Sequence, residues 1–380
     1  MNKPDGSLMN YIHLSSTKGS LMLKLCFVLF LSITCFQNSK ASNSAPDSVT
    51  FFKANHPYIQ YMGRIDFSNP LLPRMWAPGC YIKATFSGPD CEIVLNDEEL
   101  WGKNHNYLEV VIDNDKPKRI QTTGKNNVIK VASGLSDGPH TLVVCKNTES
   151  NIGYLEMVGL KCKSLLPVKA KPVRRIEFFG NSITCGASSD TSAVACGKGV
   201  WQDQHNAYMA YGPVTARNLN AQWHLTSVSG IGLIHSCCNL TLLMPQVFDK
   251  INLMNNTIQW DFNKYIPDVV TVCLGQNDGI QDSAVFCKAY VDFIGTLRLH
   301  YPKATIICLT SPMADNNLVK VMKVQLSAIV KALNDKGDNN VYKYFFSKRY
   351  YHGCDTHPDL SEHQEIAVEL TAYIQKIKKW

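Results

Sequence analysis

No C-x-x-C pair, internal repeat or low-complexity tract occurs in this chain of 380 residues, and its lysines and arginines never bunch into a stripe. Without paired cysteines a zinc site has little support, and neither a metal nor another cofactor is expected. Scattered positive charge, with a formal excess of +7, gives no footprint for a nucleic-acid partner. The longest apolar run, Leu25 to Phe36, is too short to span a bilayer. What is present is ample core-forming material: 45% hydrophobic residues with 10% aromatics, in a chain long enough for two domains.

The apolar run instead reads as part of a leader. Lys18 and Lys24 precede it and the small-residue stretch "NSKAS" follows, placing a cleavage site near Ala41. Residues 1–41 are therefore expected to be a signal peptide, with Met22 a possible true start, and the protein to be exported, periplasmic or secreted. Cys35 raises a lipid anchor, but Ser32, Ile33 and Thr34 before it fit a lipidation box poorly. Of 14 cysteines, Cys26 and Cys35 fall in the leader, and Cys273 and Cys308 sit inside apolar runs as small buried hydrophobes. Cys237 and Cys238 are adjacent and Cys185 lies near Cys196, yet disulfide pairing stays open.

Two rhythms follow. From 48 to 166 short β-branched runs such as "YIKATF", "CEIVL" and "NYLEVVI" alternate with turns such as "SGPD" and "GLSDGPH", which argues a β-sandwich or barrel. After the proline-bearing "SLLPVKAKPV", residues 173–380 alternate apolar strands with amphipathic helices. The strands are "RIEFFG", "WHLTSVS", "DVVTVCLG", "ATIICLTS" and "VYKYFF"; helices are expected at 207–220, 283–300, 317–335 and from 361 onward. That alternation predicts a parallel sheet covered on both faces.

In such a sheet every strand exit lies on one rim, where ligands bind. Here the exits carry Gly180-Asn181-Ser182, Ser229-Gly230, Gly275-Gln276-Asn277-Asp278 and "GCDTHP" with His357. A serine hydroxyl needs a base to accept its proton, and His357 qualifies. The Ser182 and Gly230 N–H groups and the Asn277 amide are candidate donors to an oxyanion. Taken singly, each has a plainer role: Ser182 as a helix cap, Gly230 and Asn277 in turns, His357 in a loop. Their shared placement after strands favours the catalytic reading. His363 is expected to be structural, on the last helix.

"FFGNSIT", "SVSGIGL", "LGQND" and "DTHPDLSEHQEIA" resemble the four blocks of the SGNH, or GDSL-like, hydrolases, with Asn181 in the usual Asp place. "IQYMGRID", "GLSDGPHTLVVCKNTES" and "NAYMAYGPVTARNLNAQWHLTSVSGIGL" resemble, more narrowly, carbohydrate esterase family 2. The resemblance implies a β-jelly-roll fused to an α/β/α SGNH domain with a flavodoxin-like parallel sheet. It implies removal of O-acetyl groups from plant polysaccharides such as xylan and glucomannan, without a metal. It assigns Ser182 as nucleophile, His357 as base, and Ser182, Gly230 and Asn277 to the oxyanion hole.

The broad pattern places Asp three residues before the His; here that residue is Cys354, and Asp355 stands two before. A Ser182–His357 dyad is therefore expected, oriented by Asp355 or by a backbone carbonyl. Trp201, Tyr350 and Tyr351 are candidate sugar contacts, while Phe345 and Phe346 read as strand core. Two alternatives stand beside the esterase: a carbohydrate-binding protein with a decayed hydrolase half, and a lipase or acylhydrolase acting on another acyl group.

Overall fold

The computed structural model describes residues 49–254 and 257–380. The expected leader, 1–41, lies outside them.

The N-terminal half is antiparallel and turns on one strand, Tyr81–Asp97. Tyr81–Ser87 pair with Pro139–Cys145, while Cys91–Asn96 pair with Asn126–Ala132. Leu155–Leu166 runs along most of its other edge. The sequence suggested two short strands broken at "SGPD"; the structure makes them one. Gly88, at φ +98°, absorbs the bend that a side chain would resist, so the strand can serve both layers. Ile82, Phe86, Ile93, Leu142, Val144 and Leu160 fill the space between. This is the expected jelly-roll-like sandwich.

From Arg174 the chain builds a five-stranded parallel sheet, ordered Ala221–Ser227, Arg174–Gly180, Val269–Val272, Thr305–Leu309, Val341–Tyr344. Alternation sends Phe178 to one face and Phe179 to the other, each fully buried. Helices Tyr211–Asn218 and Leu360–Lys378 cover the first face, and Ser283–His300 and Asn316–Asp335 the second. The three longer helices start at Asp282, Asp315 and Asp359, whose carboxylates accept the first free N–H groups. The first helix begins at Tyr211 rather than Ala207, because Ala207 and Tyr208 are held by hydrogen bonds to Asn147.

The two halves share a seam with buried contacts at its centre. Tyr81 stacks on Trp223 with ring centroids 3.8 Å apart, and the Trp223 indole N–H donates to Gly79 O at 2.9 Å. Beside them the Arg64 guanidinium meets the Glu177 carboxylate at 2.8 Å, both side chains without solvent exposure. Thr226 Oγ1 and Tyr301 OH also donate to Glu177, at 2.7 and 2.5 Å. The "SLLPVKAKPV" segment is pinned too: Lys171 Nζ donates to Tyr61 O at 2.7 Å, and Gln222 Nε2 to Pro172 O at 2.6 Å.

Removing one member of a buried charge pair strands the other. Arg64→Ala should therefore lower unfolding stability by roughly 3–5 kcal/mol, measured by urea denaturation. A loss below about 1 kcal/mol would show that the pair does not hold the seam.

Candidate active site

The strand Arg174–Gly180 leaves the sheet through a turn that only glycine fits, since a Cβ on Gly180 would lie 2.0 Å from Thr184 Oγ1. Asn181 caps the short helix Ser182–Cys185, its Oδ1 accepting from Ile183 N at 3.2 Å. Ser182 thus opens that helix at the sheet's rim. Its Oγ lies 2.8 Å from His357 Nε2.

His357 is oriented from behind by main chain. Its Nδ1 faces the Asp355 carbonyl at 3.2 Å. A carbonyl only accepts, so Nδ1 carries the proton and Nε2 is left to accept from Ser182. Of the two orienting groups suggested by sequence, the one facing the imidazole here is a backbone carbonyl, that of Asp355. Burial lowers the His357 pKa below the ordinary histidine value, against the opposing pull of the Asp355 and Cys354 carbonyls.

The loop that presents His357 is unusual. Asp355 and Thr356 both adopt left-handed backbone, at φ +50° and +59°, each costing about 1–2 kcal/mol outside glycine. Cross-links hold the loop there. Gly353 N donates to His357 O at 2.7 Å, Cys354 N donates to Ser188 O at 2.8 Å, and Cys354 is disulfide-bonded to Cys196. The second disulfide joins Cys237 to Cys238. Cys273 and Cys308 are buried free thiols, as their apolar runs suggested.

Opposite His357 stand Gly230 and Asn277. Gly230 takes φ +81°, which suits glycine. The Asn277 amide spends one N–H on Ile231 O at 2.8 Å, which leaves the other for the cleft. Asp278 fixes the two loops to each other, its buried carboxylate accepting from the N–H groups of Leu233, Ile234 and His235 at 2.7–3.1 Å. These groups line an open cleft of about 560 Å³ together with Trp201, Asn151, Met313 and the Cys237–Cys238 pair.

Ser182, His357, Gly230, Asn277 and Trp201 meet in this cleft, as does Asp355. Tyr350 and Tyr351 do not. Tyr350 is 1% exposed and its hydroxyl donates to Glu369, while Tyr351 stacks on His352 at the surface. Adjacency to the base in sequence misled here, because the chain reverses between them. His363 is buried with Nδ1 accepting from Tyr211 N at 3.2 Å, and burial pushes it down to about 3. Asn151 and Asp278 were not singled out in advance. The second follows Asn277 in "LGQND", the one signal that pointed to it.

Residues 61–172 match the carbohydrate esterase 2 N-terminal family, and residues 178–339 match the GDSL-like lipase/acylhydrolase family. Cellulase/esterase CelE of Acetivibrio thermocellus is 32% identical over 346 residues, which are 88% of this chain and 41% of that protein. The chain thus spans about two fifths of that relative. An acetylxylan esterase/glucomannan deacetylase of Cellvibrio japonicus is 26% identical across 94% of this chain and 100% of its own length. Among solved structures, a family two carbohydrate esterase from Clostridium thermocellum in complex with cellohexaose aligns with a TM-score of 0.78. It is 30% identical, covering 85% of this chain and 99% of that one.

An NMR titration of the His357 ring should give a midpoint below about 6.5, with the neutral, proton-accepting form dominant above it. A midpoint above that value would show that burial does not govern this imidazole.

Proposed function

The chain belongs to carbohydrate esterase family 2, and from that premise we propose that it is an exported serine esterase removing O-acetyl groups from plant polysaccharides. The observation that carries this reading is the 2.8 Å approach of Ser182 Oγ to His357 Nε2 in an open cleft. Ser182 attacks the acetyl carbonyl as its proton passes to His357 Nε2. The N–H groups of Ser182 and Gly230 and the Asn277 amide receive the charge that grows on the carbonyl oxygen. The imidazolium then protonates the departing sugar oxygen. Water, activated by the same nitrogen, clears the acetyl-enzyme.

The Cellvibrio relative's activity favours acetylated xylan or glucomannan as substrate. Trp201, 39% exposed and packed T-shaped against His205, offers an aromatic surface for a pyranose ring beside the nucleophile. The side-chain oxygen of Asn151 is buried without a partner at the same cleft, an acceptor suited to a sugar hydroxyl. Export is supported by the leader-like residues 1–41 and by the Cys196–Cys354 disulfide. On this reading the leader precedes a jelly-roll domain, 48–166, and the hydrolase domain, 173–380.

Acetate release from acetylated xylan, glucomannan and an acetylated chromogenic phenol should fall at least about 10³-fold in Ser182→Ala. In Asn277→Ala, turnover should drop roughly 10²–10³-fold. Release that persists in Ser182→Ala would sink the serine mechanism. No release by the parent protein, with its fold intact, would favour carbohydrate binding without hydrolysis. Asp355→Ala should keep turnover within about tenfold of the parent, because the carbonyl survives the change. A loss as deep as that of Ser182→Ala would instead show a working carboxylate.

A further inference from the structure

We propose that Glu149, a residue of the N-terminal domain, is a positioning residue that holds Ser229 so that the next N–H, that of Gly230, points at the oxyanion. This rests on Gly230 being an oxyanion donor, as read above.

Glu149 follows the strand Pro139–Lys146 and reaches across the seam with 1% exposure. One carboxylate oxygen accepts from the Ser229 N–H at 2.7 Å. The other accepts from the Ser229 hydroxyl and from His205 Nε2, the latter at 3.2 Å. Two bonds to a single residue fix both its backbone and its side chain. The peptide joining Ser229 to Gly230 then has little freedom left, and Gly230 enters the cleft at φ +81°. The turn carrying Glu149 is itself held, because the buried Lys146 ammonium donates to the carbonyls of Trp76, Thr148 and Glu149 at 2.7–3.2 Å.

A carboxylate so deeply buried is costly unless its acceptors are filled. Burial pushes the Glu149 carboxyl up, but the bonds from His205 and Ser229 outweigh it and leave it below the ordinary carboxylate value. A merely structural staple between domains would serve as well against any other main-chain segment. This one grips the residue before an oxyanion donor. His205 extends the grip to the cleft wall, with the Trp201 ring 4.1 Å from its own.

The test compares kcat and KM on an acetylated chromogenic phenol for the parent, Glu149→Ala, Glu149→Gln and Ser182→Ala, with near-UV circular dichroism on each. Glu149→Ala should lose about 10²-fold in kcat, the scale of a lost oxyanion donor, with KM within about threefold. Glu149→Gln should recover most of it. Its carbonyl can take the Ser229 N–H, while its amide serves the hydroxyl and the other tautomer of His205. A folded Glu149→Ala with kcat within threefold of the parent, a loss carried by KM, or a Gln variant as poor as Ala would each overturn the proposal. Should Glu149→Ala fail to fold, Ser229→Ala decides. A severalfold fall in kcat at constant KM supports the clamp, and an unchanged kcat refutes it. If Ser182→Ala is inactive while Glu149→Ala is unimpaired, only this inference falls. An inactive parent, or an active Ser182→Ala, removes the reading of the site and this inference with it.

Discussion

One guanidinium joins the parts that the active site needs. Arg64 leaves the N-terminal domain and donates to Glu177, in the strand that delivers Ser182. It also donates to the carbonyls of Phe248 and Lys250, in the segment that follows the Gly230 loop. Two ions out of reach of water would each cost several kcal/mol if left alone. They persist because Thr226 and Tyr301 fill the remaining acceptor sites of the carboxylate. The strand, the segment Phe248–Lys250 and the N-terminal domain are thereby held to one another. The two halves are distinct in sequence rhythm but share this buried polar network.

That network frames a site built largely from main chain. Asp355 orients the imidazole with a carbonyl, and two of the three candidate oxyanion donors are backbone N–H groups. Main-chain dipoles need no rotamer to be frozen and carry no charge to be desolvated. They do require the backbone itself to be rigid. A carbonyl fixes the tautomer as well as a carboxylate does, but it gives less support to the imidazolium that forms. On the proposed mechanism, more of the stabilisation then falls to the oxyanion side. The carboxylates of Asp278 and Glu149 are both spent there, each on backbone N–H groups of the Gly230 loop.

How much of this the sequence disclosed depended on whether a signal was local. The five parallel strands were legible because strands buried on both faces run apolar, and Ser182, Gly230, Asn277 and His357 followed from their exits. The one-piece strand Tyr81–Asp97 was not, since Gly88 and Pro89 look the same in a bend as in a turn. Trp201 reaches the cleft, whereas Tyr350 turns inward to Glu369. Nothing in the local pattern of either aromatic separates those outcomes. Asn151 lies in the other domain, and Cys196 pairs across 158 residues. Contacts of that range leave no periodicity to read.

The Cys354 sulfur occupies the place in the chain where related hydrolases keep their acid, and it is spent on the bond to Cys196. With the two backbone hydrogen bonds at Gly353 and Cys354, it braces a pair of left-handed residues next to the base. The geometry of the imidazole is thus coupled to the redox state of its surroundings. In a reducing compartment the chain would carry every residue of its site and lack the brace that aims one of them.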